Sequence, residues 1–152
     1  MIIRKAEQKD LKIVQEMLDL LNADRKKLWN SKNKKFHKKK IKNSKLKKKD
    51  FAENIIFIAE DSEASIGCIM GYISKRKGYI CHKLGYIDAL YIKKDYRKKG
   101  IATKLLAKLK KEFKSNKCDH MITHTDAENI KAQKLYESTK MSSVTVEYWK
   151  KL

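Results

Sequence analysis

The chain of 152 residues has no proline and only five glycines. Neither a linker nor an internal repeat can be read from it. No apolar run approaches the length of a membrane span. The opening stretch MIIRKAEQKDL carries charges where a secretory leader needs apolar residues, so no leader is expected. Cysteine is scarce. Cys68, Cys81 and Cys118 are odd in number and lack metal-type spacing, which favours free thiols in a reducing cytoplasm. Acid is also missing locally: none occurs between Asp24 and Asp50.

Against these gaps, hydrophobic residues make up 41% of the chain, enough for a packed core. The length suits one domain, residues 1–152, rather than two. The formal charge is +20, and the acid-free segment alone supplies fourteen of those charges, from Arg25 to Lys49. Such a chain attracts polyanions whether or not they are its substrates. The abundance of Lys, Ile and Asn also fits a compositional bias, under which the charge is ordinary surface.

The hydrophobic pattern orders the elements. Ile2 to Arg4 reads as a short strand. Leu11, Val14, Met17, Leu18 and Leu21 recur at helical spacing, with Asp10 placed as a cap. In the basic segment, Leu28, Trp29, Phe36, Ile41 and Leu46 offer anchors to the core. Asn54 to Glu60, Ile66 to Ser74 and Tyr79 to Ile92 read as three strands with short connections, an antiparallel meander. A helix then begins at Gly100, with Ile101, Leu105, Leu106, Leu109 and Phe113 on its buried face. Met121 to Thr125 is a strand, Asn129 to Ser138 a helix and Val144 to Trp149 a closing strand. The strand–helix–strand around Gly100 predicts a parallel crossover.

One stretch carries chemistry: DYRKKGIATKL, Asp95 to Leu105. A helix start leaves backbone N–H groups unpaired and carries partial positive charge. A preceding loop that turns its own N–H groups inward completes an anion nest. Gly100 lets a phosphate approach without meeting a Cβ, and Ala102 is small. Arg97, Lys98 and Lys99 add charge. The glycine spacing is neither that of a Walker loop nor that of a dinucleotide fingerprint. Residues alone leave two readings open, a phosphate cradle or a solvated basic helix start.

Arg97-x-x-Gly100-x-Ala102 resembles the Arg/Gln-x-x-Gly-x-Gly/Ala motif of the GNAT superfamily of acetyl-CoA-dependent N-acetyltransferases. NIKAQKLYE, Asn129 to Glu137, is similar to that family's second motif, and the order of elements matches along nearly the whole chain. The resemblance implies an α/β (α+β) fold: a mixed, mostly antiparallel sheet of six to seven strands flanked by about four helices. It also implies direct transfer of acetyl from acetyl-CoA to a primary amine. A free lysine-type amine has a pKa near ~10, so a base must take its proton. Asp88, in the central strand, is the leading candidate. Its alternative is a carboxylate paired with a nearby lysine.

By the same resemblance, backbone N–H groups at Leu90, Tyr91 and Ile92 meet the oxyanion. Those from Lys98 through Lys99, Gly100, Ile101 and Ala102 to Thr103 hold the pyrophosphate. Tyr136 protonates the departing thiolate, or else it simply packs its helix. Asn129 and Ala132 lie against the cofactor, Asn129 holding the pantetheine arm or else simply capping its helix. Lys140-Met141 stands where the family usually has Gly-Phe, a difference of packing more than chemistry.

No metal is expected. His120 and His124 share one strand face, but two histidines without a third ligand make weak metal evidence. Cys118 is read as a small buried thiol rather than an acyl carrier. In the family the basic segment's position walls the acceptor site. There it would repel polycations and attract an amine on an anionic body. A catalytically silent module that binds RNA or the ribosome, or that senses acetyl-CoA, is the alternative. Nucleic acid is thus a less favoured partner, no membrane is expected, and a homodimer through the last strand is compatible with the family's habits.

Overall fold

A computed structural model describes residues 1–28, 45–77 and 81–148. The expectations for Trp29, Phe36, Ile41, Tyr79 and Trp149 lie outside those residues. The described chain runs β1 (Ile2–Lys5), α1 (Leu11–Leu28), α2 (Lys48–Glu53), β2 (Ile55–Asp61), β3 (Ala64–Lys75), β4 (Lys83–Ile92), α3 (Ile101–Ser115), β5 (His120–Thr123) and α4 (Ile130–Ser138). Short 3₁₀ turns at Gln8–Asp10 and Lys94–Tyr96 lead into α1 and toward α3.

The five strands form one sheet in sequence order, antiparallel from β1 to β4. β4 and β5 are parallel, joined across α3 as the crossover predicts. Six to seven strands were expected, and one difference is local. Val144 to Tyr148 is not in a strand: Val144, Val146 and Tyr148 are 91%, 70% and 93% exposed. The alternation of apolar residues is present there, but among the described residues no strand pairs with it.

Each face of the sheet has its own core. Phe57, Ala59, Ile66, Ile69, Ile87 and Ile92 pack against Ile101, Leu105, Leu106, Leu109 and Phe113 of α3. On the other face Ile56, Ile58, Cys68, Met70, Ala89 and Tyr91 pack against Val14 and Met17 of α1. The predicted buried stripe of α3 is thus the observed one. Gly85 lets α3 sit close: a Cβ there would lie 2.3 Å from the Phe113 ring.

Asp10, expected as the α1 cap, is instead 3% exposed and held in a charge network. Its carboxylate accepts from Arg4 at 2.7 and 2.9 Å and from the Glu7 N–H at 2.8 Å. Arg4 also pairs with Glu60 at 2.7 Å, tying β1 to β2. These bonds hold the Asp10 carboxyl below the usual carboxylate range and offset the cost of burying it.

The feature that shapes the functional end lies in β4. Met70 opposes Ala89 and Gly71 opposes Ile87, so Asp88 is an extra, unopposed residue. This β-bulge shifts the strand's phase. Before it, Gly85 and Ile87 face α3; after it, Leu90 and Ile92 do.

Candidate active site

β4 outruns its parallel partner. Pairing with β5 ends at Ile87 opposite Thr123, while β4 continues to Ile92. The Thr123 hydroxyl closes the join by donating to the Ile87 carbonyl at 3.1 Å. Beyond this point the two strands part. Lys93 N–H donates to the Ile66 carbonyl across β3 at 2.9 Å. Strand alternation therefore turns the N–H groups of Leu90 and Ile92 away from β3, toward the gap. The side chains of Tyr91 and Ile92 are buried and that of Leu90 is half-buried, so backbone is what this stretch offers to a ligand.

At the top of β4 the chain turns into α3. Lys98 and Gly100 both have positive φ, at 61° and 72°. Gly100 occupies the N-cap position, and no side chain caps the helix. The first intrahelical bond is from Lys104 N–H to the Gly100 carbonyl, 3.1 Å. The N–H groups of Ile101, Ala102 and Thr103 precede it and have no helical acceptor. A Cβ at Gly100 would meet nothing within 4 Å, so the space over the helix start is open. An uncapped, positively polarised terminus with open space above it suits a phosphate group.

Arg97 departs from its expected place among the cradle's cations. Its Nε donates to the Ile92 carbonyl at 2.9 Å, and a terminal nitrogen pairs with Asp24 of α1 at 2.7 Å. The guanidinium also lies 5.4 Å from the Tyr91 ring centroid. Arg97 is therefore a strut that sets the loop's position. Lys99 leans over Tyr96, 5.1 Å from the ring centroid. Lys98 is exposed on the loop.

Across the gap, Tyr136 projects from α4 toward the end of β5. Its hydroxyl lies beside that of Thr123, and burial raises its pKa, keeping the phenol protonated. Asn129 caps α4, its side-chain oxygen accepting from Ala132 N–H at 3.2 Å. Of the two roles weighed for Asn129, this geometry supplies the cap. Ala132 is half-buried beside it.

Asp88 opens onto the sheet face away from α3. With Met70 and Tyr72 it borders a cavity of about 410 Å³, whose other side is Lys45, Leu46, Lys47, Lys49, Asp50 and Asn54. Asp88 is reachable by solvent, yet the protein around it raises its carboxyl pKa by desolvation, with Arg25 opposing. No lysine within ion-pair distance claims Asp88 among the described residues. Beside it Tyr72 stacks on Tyr86, centroids 5.0 Å apart and planes 11° apart. The Tyr86 hydroxyl and His124 Nδ1 share a hydrogen bond.

The sequence reading missed that tyrosine–histidine pair. It weighed His124 only with His120, whose Nδ1 instead lies 3.2 Å from Cys81 Sγ. The available signal was alternation: Ile122 lies opposite Tyr86, and His124, two residues on, shares its face and so stands diagonal to Tyr86. The reading also missed Asp24 and Asp126. Asp126 pairs with Arg25 at 3.2 Å, so the end of α1 is fastened to both loops that bound the gap.

A model of the acetyltransferase (GNAT) family matches residues 14–140. The chain belongs to this GNAT family. Its match to N-alpha-acetyltransferase 30 of Xenopus laevis is 32% identical over 84 residues, covering 55% of this chain and 30% of that protein. The human protein of the same name matches at 31% over 84 residues. The matched region thus spans less than a third of these relatives. Among solved structures, an aminoglycoside N-acetyltransferase AAC(6')-Iy in complex with CoA superposes with a TM-score of 0.71. That match has 18% identity and covers 99% of both chains. A mutant of the BH1408 protein from Bacillus halodurans gives 0.81 at 17% identity, covering 100% of this chain and 99% of that one. The GNAT fold is therefore shared well beyond recognisable sequence similarity, with the five-stranded sheet and its helices forming the common frame.

Proposed function

We propose that this GNAT protein is an N-acetyltransferase that moves the acetyl group of acetyl-CoA to a primary amine. The observation that carries the reading is the pairing of an open, uncapped helix start at Gly100 with a protonated tyrosine, Tyr136, across the β4–β5 gap. A silent binding module has no use for the second of these.

Acetyl-CoA supplies an activated thioester and fits the site by its phosphates. The N–H groups from Lys98 to Thr103 would hold the pyrophosphate, with Lys98 and Lys99 adding charge and Arg97 fixing the loop. The N–H groups of Leu90 and Ile92, turned into the gap, stabilise developing negative charge on the carbonyl oxygen. Tyr136 donates its proton to the leaving sulfur. Asp88, raised by desolvation, accepts the proton of the incoming amine, directly or through water. The Tyr86–His124 pair is a second acceptor at the same mouth, favoured by its hydrogen bond.

Among the described residues no helix is long and apolar enough to cross a membrane. With three free cysteines, this supports a cytoplasmic setting. The exposed Val144, Val146 and Tyr148 and the outer edge of β5, unpaired among the described residues, support a homodimer.

Calorimetric titration with acetyl-CoA tests the cofactor half of the reading. Wild-type protein is expected to bind, and Gly100→Glu to lose binding by at least tenfold, since a carboxylate would occupy the anion's place. Equal affinity in both would remove the cradle from the mechanism.

A further inference from the structure

The cavity in front of Asp88 changes sign from one side to the other. On its wall are Lys45, Lys47 and Lys49; on its floor is Asp88. The wall is built rather than loosely draped. Leu46 N–H donates to the Gln15 side chain of α1 at 2.6 Å. Lys47 N–H donates to the Asp50 carboxylate, and the Asn54 amide donates to the Asp50 carbonyl at 2.8 Å. Lys45, Lys47 and Lys49 all border this one cavity, Lys47 at the extended start of α2 (φ −107°, ψ 161°) and Lys49 in its first turn.

None of these three ammonium groups forms an ion pair among the described residues. Asp50, the acid in the same wall, is engaged by the Lys47 backbone. Three lysines against the one carboxylate of Asp50 leave the wall net positive, and the floor presents the carboxylate of Asp88. The complementary ligand carries an amine at one end and anionic groups a few atoms further on. A polycationic acceptor meets repulsion from three lysines before it reaches Asp88. The lysines are exposed, so a chain leaving the cavity runs along them into solvent.

We infer that the acceptor is a polypeptide N-terminus followed immediately by acidic side chains. Its α-amine lies toward Asp88 and its carboxylates lie against Lys45, Lys47 and Lys49. The inference rests on the acetyltransferase reading and adds the substrate class.

The test is acetyl transfer from acetyl-CoA to peptides that begin Ser-Asp-Glu, Ser-Ala-Ala and Ser-Lys-Arg, together with phosphoethanolamine as a small anionic amine. It is run at about 10 mM ionic strength, where the screening length is roughly 30 Å. The acidic peptide is expected to exceed the neutral one in kcat/KM by about tenfold, through KM, and the basic peptide to fall below both. In a Lys45→Ser, Lys47→Ser, Lys49→Ser variant the acidic-to-neutral ratio is expected to fall close to one. Because a ratio is read, a general loss of activity does not mimic this. Equal use of acidic and neutral peptides, or a ratio that survives in the variant, overturns the charge rule and leaves the acetyltransferase reading intact. Phosphoethanolamine used better than every peptide overturns the polypeptide part. No transfer to any acceptor by protein that binds acetyl-CoA overturns the inference as a whole. Failure of the parent reading has its own signature, no acetyl-CoA binding.

Discussion

Desolvation raises both Tyr136 and Asp88 above their ordinary values, so each is shifted toward its protonated form. Burial keeps Tyr136 protonated, and the bulge leaves Asp88 without a strand partner. In the proposed reaction Tyr136 acts late, on the leaving sulfur, and contributes little to ground-state binding. Tyr136→Phe keeps the ring and removes the proton. It is expected to lower kcat by about 10²-fold, within the range for a positioned general acid. The acetyl-CoA KM should stay within about threefold, since the phosphates bind elsewhere. Steady-state kinetics checks both, and an unchanged kcat would reduce Tyr136 to a packing residue. Arg97 shows how far a motif can be read. Its sequence position was legible, but the use of its side chain was not. Asp24, its partner, lies 73 residues away, and nothing local in either stretch announces the pair.

Among the elements, α3 was legible almost completely because its evidence is local. The apolar stripe from Ile101 to Phe113 repeats at helical period, and Gly100 marks its start. The three-strand meander was legible for the same reason. The bulge at Asp88 was not, because a bulge is a property of two strands in register and β4 alone reads as continuous. The closing strand was read from a real alternation at Val144, Val146 and Tyr148, but alternation specifies a face without supplying a neighbour. The contact between α3 and the sheet depends on absent atoms as well. Gly85→Ala puts a methyl group against the Phe113 ring, which has no room to retreat inside the core. Overpacking of this kind costs about 1–3 kcal/mol, which for a domain of this size lowers Tm by about 4–8 °C at the middle of that range. Thermal melts followed by circular dichroism measure it. A Tm equal to wild type would mean that α3 can slide along the sheet.

At the scale of the whole molecule, charge and edges govern association. The outer edge of β5 carries unpaired backbone groups among the described residues, and the chain's last described residues are apolar on alternate positions and exposed. A bare edge and a strand-like segment in one chain are complementary. In a two-fold dimer each segment could cover the other copy's edge, satisfying backbone groups that a monomer leaves to water. The net charge of +20 opposes that association by self-repulsion, so dimer formation should strengthen with salt, the reverse of the expected acidic-peptide preference. Sedimentation velocity at low and moderate salt is expected to show a dimer whose fraction rises with salt. Val146→Lys with Tyr148→Lys is expected to leave monomer at every salt concentration, because it places charge on the face that must be buried. A double variant that still dimerises would assign the interface to another surface and leave the β5 edge to solvent.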